Sequence, residues 1–142
     1  MSEPYAPLEA LREFHQAFRV PYLVGQDSYG RQKTLKLRWD LIAEEWKEAS
    51  DEFLDLYNGV GNYAKLAKEL ADMLYVIYGA ADILDIPLDR VFNEVHRSNM
   101  SKLSDDGEPL LRADGKILKG PGYEPPDVDT IINGESTESD SE

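Results

Sequence analysis

The chain contains no cysteine. Disulfides, thiolate metal sites and cysteine nucleophiles are excluded, and the composition fits a reducing cytoplasm, the expected compartment. Histidine is scarce, with two residues. No apolar run is long enough to span a bilayer. The opening residues, MSEPYAPLEALREF, lack a basic segment followed by an apolar one, so no secretory leader is expected. Positive charge is also in short supply: 15 Lys and Arg stand against 28 Asp and Glu, for a net charge of -13. Such a chain repels phosphate backbones and anionic lipid. Neither duplex nucleic acid nor a membrane is an expected partner.

What remains is enough for one domain. The 142 residues are 42% hydrophobic, which supports a real core. The last ten residues, NGESTESDSE, are polar and carry four acids and no base. They read as a disordered acidic tail over 133–142, leaving a domain over 1–132 that is still clearly acidic.

Apolar periodicity predicts four main helices. The first runs from about Pro7 to Arg19, with Leu8, Leu11, Phe14 and Phe18 at helical spacing. VPYLVGQDSYGRQ reads as a loop because of Pro21, Gly25 and Gly30. The second runs from about Thr34 to Tyr57. Its stripe of Leu35, Trp39, Ile42, Trp46, Ala49, Phe53 and Leu56 is expected to face the core. NGVGN closes it, since Gly suits a left-handed cap. The third spans about Tyr63 to Asp85 and is uncharged from Met73 to Ala81. Pro87 opens the fourth, which ends near Met100. Beyond it lies an irregular arm in which LLRADGKILK predicts a small hairpin around Asp114-Gly115. The fold class is therefore all-α, a four-helix bundle with an irregular C-terminal arm.

The second and third helices carry the chemistry. Glu45 and Glu48 are one turn apart, and Glu44 joins them on the neighbouring face. A solvated acidic face explains such a cluster in isolation. On the third helix, Glu69 and Asp72 are also one turn apart, at the entrance to the uncharged run. A short loop makes the two helices antiparallel and brings E-x-x-E near E-x-x-D. Carboxylates beside a packed core cost several kcal/mol each by desolvation unless something neutralises them. Lys65 and Lys68 are too few for both pairs. A hard divalent cation, Mg²⁺ or Mn²⁺, takes oxygen ligands and removes the conflict. Zinc lacks its usual ligands here. A di-iron bundle wants Glu-x-x-His pairs, whereas Glu precedes His by two in both REFH and EVHR.

EEWKE with ELAD resembles the paired E-x-x-E and E-x-x-D signature of the all-α nucleoside triphosphate pyrophosphohydrolases. That superfamily includes MazG-like proteins, dimeric dUTPases and phosphoribosyl-ATP pyrophosphohydrolase. EVHRSNMSK and DGKILKGPGYEPPD are similar to the downstream segments of a single-domain MazG-like branch. The resemblance runs from about Leu11 to Asp127. It implies a MazG-like bundle that hydrolyses a nucleoside triphosphate to the monophosphate and pyrophosphate by water attack at the α-phosphorus. It implies that Glu45, Glu48, Glu69 and Asp72 hold Mg²⁺, with Mn²⁺ as an alternative. Glu44 would help bind a second ion or serve, with Glu45, as base.

Further substrate contacts are expected from Arg97, Asn99, Lys102, Lys116 and Lys119. Bases at the end of the fourth helix equally satisfy its dipole, and a plain surface hairpin equally accounts for Lys116 and Lys119. Arg112 and Tyr123 are weaker candidates. His15 is either a base contact or a structural histidine, and Trp39 and Trp46 read as packing. The apolar third helix, together with the assemblies of the superfamily, predicts a homodimer or homotetramer whose neighbouring subunit helps close each site. Two other readings stand beside the hydrolase. One is a non-catalytic helical interaction or regulatory protein. The other is a dedicated dUTPase of the same superfamily.

Overall fold

The computed structural model describes residues 6–134. Most of the expected tail, 135–142, lies outside the described residues. The described chain is all-α: its helices are α1 (Pro7–Ala17), α2 (Ser28–Tyr57), α3 (Tyr63–Ile83), α4 (Leu88–Met100) and the short α5 (Val128–Asn133). No strand forms among the described residues, and one antiparallel bridge joins Leu111 to Ile117. No described helix is long and apolar enough to cross a membrane. The chain divides into two compact units, Met1–Ile86 and Pro87–Glu142.

In the first unit, α3 is the central helix, with α1 and α2 both packed against it. Its core is small: Leu11 from α1, Ala49 from α2, and Leu66, Ala81 and Ile83 from α3 are buried. Burying a large aliphatic side chain contributes roughly 1.5–3 kcal/mol. The second helix begins six residues earlier than its apolar stripe predicts. Asp27 caps it by accepting a hydrogen bond from the Gly30 N–H at 2.7 Å, which carries Gly30 into the first helical turns. Asn62 caps α3 likewise, through the Lys65 N–H at 2.9 Å.

Three helices end in one motif. The Val20 N–H bonds back to the His15 carbonyl, Val60 to Asp55, and Ile86 to Ala81. Each is a six-residue closure that requires a left-handed residue in between. Gly59 supplies it in α2, whereas Arg19 (φ 54) and Asp85 (φ 56) supply it in α1 and α3. This is why α1 and α3 stop two residues short of their expected ends.

The stripe on α2 does not pack as expected. Ala49 is buried, but Trp39 is 75% exposed, Trp46 63% and Phe53 54%. The two tryptophans are thus not core residues of this chain. The periodicity is real, but it marks an apolar face that α1 and α3 leave uncovered.

In the second unit, Ser98 and Ser101 fasten the arm to α4. The buried Ser98 hydroxyl donates to the Glu124 carbonyl at 2.7 Å, and the Glu124 N–H donates to Ser101 Oγ at 2.9 Å. Glu94 accepts from the Asp127 N–H at 2.9 Å. The expected hairpin is present in minimal form. Arg112 N–H bonds to the Lys116 carbonyl at 2.8 Å, and Gly115 sits at φ +86, as a bulged turn requires. Asn133, counted with the tail above, is the last residue of α5.

Candidate active site

Glu45, Glu48 and Glu69 each place a carboxylate oxygen within 4.8 Å of the others. The two helices that supply them are neighbours because the Asn58–Asn62 turn is short, so antiparallel packing sets E-x-x-E against E-x-x-D. Burial and mutual repulsion set the electrostatics. Glu45 is pushed above the usual carboxylate range, first by withdrawal from water and then by the charges of Glu48, Asp72, Glu69 and Glu44. Glu48 is raised too, by desolvation and then by its carboxyl contact with Glu69. Glu45 Oε2 and Glu69 Oε2 are both buried and have no hydrogen-bond partner among the described residues.

Among the described residues, the cation paired with the cluster is Lys68. Its Nζ lies 2.6 Å from Asp72 Oδ2 and 3.5 Å from Glu69 Oε1. One ammonium pairs with two of the carboxylates, and neither Glu45 nor Glu48 has an ion pair among the described residues. The donor set consists entirely of carboxylate oxygens, two of them buried and unsatisfied. Such a set fits a hard divalent cation and does not suit zinc. Glu44 is exposed beside the cluster and lies outside the three-oxygen group.

Glu52, which sequence reasoning passed over, extends this face. It follows Glu48 by one turn, and its Oε2 is also buried and unpartnered among the described residues. The 4-residue spacing alone signalled it. It borders an open cleft with Asn62, Lys65, Lys68 and Glu69.

His15 is buried, and its Nδ1 lies 2.7 Å from Asp82 Oδ2. Tyr22 donates to the same oxygen at 2.6 Å. Burial first, then this bond to Asp82, pushes the Tyr22 phenol up to about 12. His15 is therefore held by structure on its Nδ1 side. Its ring also lines a cleft of about 200 Å³ that includes Arg38, Tyr75 and Gly79.

The remaining expected contacts belong to the second unit. Arg97 is committed to its neighbours: its guanidinium reaches Glu94 at 2.8 Å, Glu124 at 3.2 Å and the Pro125 carbonyl at 3.2 Å. Glu94 is correspondingly held down at about 2, first by Arg97 and then by the Asp127 N–H. Arg112 pairs with Asp114 at 2.5 Å. Lys119 Nζ sits 4.7 Å from the centre of the Tyr123 ring. Asn99 is exposed on α4, Lys102 is half-buried just beyond it, and Lys116 is exposed on the hairpin.

Comparison with known proteins places this arrangement. A protein of Acanthamoeba polyphaga mimivirus, described as uncharacterized, is 30% identical over 87 residues, covering 57% of this chain. The chain spans about a third of that relative's length, 35%. The family model described as phosphoribosyl-ATP pyrophosphohydrolase matches residues 11–99, which include the clustered Glu45, Glu48 and Glu69 and also Asp72, which lies outside that three-oxygen group. The chain belongs to the phosphoribosyl-ATP pyrophosphohydrolase family.

Proposed function

We propose that the protein is a metal-dependent nucleoside triphosphate pyrophosphohydrolase that releases pyrophosphate by water attack at the α-phosphorus. The observation that carries this reading is the unsatisfied carboxylate cluster: Glu45 and Glu69 hold buried oxygens that only a cation or a proton can answer. Glu45, Glu48, Glu69 and Asp72 would hold Mg²⁺, or Mn²⁺ in its place. When bound, the ion supplies charge neutralisation for the triphosphate and acidifies water.

The protein's own groups do the rest. Lys68 is drawn toward Asp72 and Glu69 while the site lacks other positive charge, and it lies where an incoming phosphate would find a donor. Glu44, beside the cluster and in water, is the base that accepts a proton from the attacking water. Lys102, Lys116 and Lys119 are the cations that the family resemblance assigns to the phosphates, with Asn99 as a polar contact.

The exposed tryptophans of α2 support a homo-oligomer, because a large apolar face rimmed by charge marks an interaction surface. Sedimentation at micromolar concentration tests this: a dimer or tetramer is expected, and a stable monomer removes the idea.

The decisive assay quantifies pyrophosphate from a panel of nucleoside triphosphates with and without Mg²⁺. Release is expected only with the ion. Glu48→Gln and Asp72→Asn are each expected to lower kcat by roughly 100-fold or more while remaining folded. Unaltered turnover in either variant would overturn the assignment.

A further inference from the structure

Arg38 is a cation without an ion-pair partner among the described residues. It lies on α2 two turns before Glu45 and is half-buried. Its Nε is fully shielded from water, and no described residue accepts a hydrogen bond from it. Desolvation lowers its proton affinity, with nothing opposing the effect. Buried arginines are ordinarily paired, because five N–H donors with no acceptor are costly to strip of water. Of Arg38's donor atoms, Nε is the one with neither water nor a described acceptor, and a ligand in the adjacent space could supply that acceptor.

The space beside Arg38 is a cleft of about 200 Å³ lined by Leu11, Phe14, His15, Tyr75 and Gly79, among others. It is smaller than pockets that enclose a whole drug-sized ligand, which start at about 300 Å³. One planar ring fits it better than an entire nucleotide. Phe14 and Tyr75 meet edge to face at 5.5 Å and form an aromatic wall.

Gly79 points the same way. Glycine inside a helix is unfavourable relative to alanine. A Cβ at this position would lie 3.5 Å from Leu11 Cδ1, 3.7 Å from Arg38 Nη1 and 3.7 Å from His15 Cε1. Those are ordinary contacts, so packing does not demand glycine. Glycine instead leaves open the space in front of Arg38 and His15.

The cleft is also well placed. Because α2 and α3 run antiparallel, stepping back from Glu45 to Arg38 and forward from Asp72 to Tyr75 and Gly79 leads in one direction. The distance is one to two turns, about 5–10 Å, comparable to the reach from the α-phosphate of a nucleotide to its base. A phosphate is a poor occupant: an apolar, aromatic wall with one arginine would bury its charge at high cost.

We propose that this cleft takes the nucleobase and that Arg38 selects bases carrying a carbonyl oxygen at the edge farthest from the sugar. Uracil, thymine and guanine have that oxygen, whereas cytosine and adenine place an amine there. Arg38 can only donate, so it rewards the oxygen and meets the amine with a donor-to-donor clash. This selectivity rests on the pyrophosphohydrolase reading for its substrate class, although the binding preference does not need turnover.

The cleanest comparison is dUTP against dCTP, which differ only in the C4 substituent and in the proton on the adjacent N3. In the Mg²⁺-loaded protein, kcat/KM is expected to favour dUTP by about tenfold or more. Arg38→Gln, whose amide both donates and accepts, is expected to bring the ratio to within about twofold. Gly79→Ala is expected to raise KM several-fold for both without lowering the melting temperature. Calorimetric binding of dUMP and dCMP to the same proteins separates the two layers. If no triphosphate is hydrolysed but dUMP binds more tightly than dCMP and Arg38→Gln abolishes the difference, the base assignment stands and the hydrolase reading falls. If turnover is present but the ratio is flat, or is unchanged in Arg38→Gln, the base assignment falls and the hydrolase reading stands. An Arg38→Gln effect confined to oligomeric state also overturns it. Should Arg38→Gln fail to fold, the wild-type ratio and an unmoved KM in Gly79→Ala each remain able to sink the proposal.

Discussion

Asp82 Oδ2 lies 2.7 Å from His15 Nδ1 and 2.6 Å from the Tyr22 hydroxyl, so one buried carboxylate ties α1 and the following loop to α3. Its other oxygen faces Arg12 at 3.7 Å. Replacing Asp82 with alanine strands a buried imidazole and a phenol together. A loss of about 3–5 kcal/mol is expected, read as a lower urea midpoint with little change in slope. Tyr22→Phe removes one hydrogen bond while keeping the ring, and should cost about 1–1.5 kcal/mol.

Tyr22 also carries a pH signature. Its phenol is raised from 10 to about 12, mainly by burial and then by Asp82. The fold favours the neutral form, so this contribution is complete below pH 10. It is lost as pH climbs from the unfolded value of 10 through about 12. In a phenolate absorbance titration, Tyr22→Phe should remove an ionisation step near pH 12. A titration unchanged by the substitution would count against the assignment.

The carboxylate cluster has the same sign of linkage in a lower pH window. Burial and mutual repulsion raise Glu45 and Glu48 above 4.5. In metal-free protein these groups favour the fold on the acid side, and their contribution is lost as pH rises through the raised values. The proposed Mg²⁺ would need them ionised. Its affinity should therefore climb with pH across that range and then level off, with protons released on binding. Calorimetry in two buffers of different ionisation enthalpy measures the release. Glu48→Gln should melt no lower than wild type without metal, and Mg²⁺ should no longer raise its midpoint.

Under the proposed function, Lys68 would compete with a metal ion for the site. Its ammonium contacts Asp72 and Glu69, and those carboxylates raise its own pKa, through the Asp72 contact first. A cation entering the site must displace it. Lys68→Met should tighten Mg²⁺ binding by roughly two- to fivefold, the worth of an exposed ion pair. If Lys68 then serves the substrate, KM should rise in the same variant. Weaker Mg²⁺ binding in Lys68→Met would show that Lys68 supports the site instead of competing for it.

How far the sequence could be read depends on the kind of information each feature carries. The carboxylate face was legible because helical spacing and a short α2–α3 turn determine which side chains meet. Helix ends were legible where a glycine turn closed them, as at Asn58–Asn62, and were missed where Asp27 drew Gly30 into α2. The left-handed Arg19 and Asp85 could not be read, since neither is a residue that announces that conformation. Trp39 and Trp46 show a deeper limit: a stripe reports that a face is apolar, not whether its own chain covers it. Arg38 was invisible for a related reason. On a one-dimensional string, an arginine two turns before an acidic pair looks like a surface residue. Only the packing of α1 and α3 around it reveals that it is shielded and unpaired. Asp82 had one available signal, as the first charge after the uncharged run of α3.

Gly120 offers a test of the arm that does not involve the site. It is buried, and its N–H donates to the Lys102 carbonyl at 2.8 Å. A Cβ there would stand 2.6 Å from the carbonyl oxygens of both Lys102 and Leu103. These are backbone atoms just past α4, so no rotamer change relieves the contact. Gly120→Ala must push the arm away and break the hydrogen bond, at an expected cost of about 1–3 kcal/mol. Gly122, two residues on, has open space around a Cβ, so Gly122→Ala serves as the matched control. Hydrogen exchange should show faster opening of the Gly120 amide and of the Ser98–Glu124 contacts in the first variant but not in the second. Equal protection in both would mean that the arm's seat does not depend on this close approach.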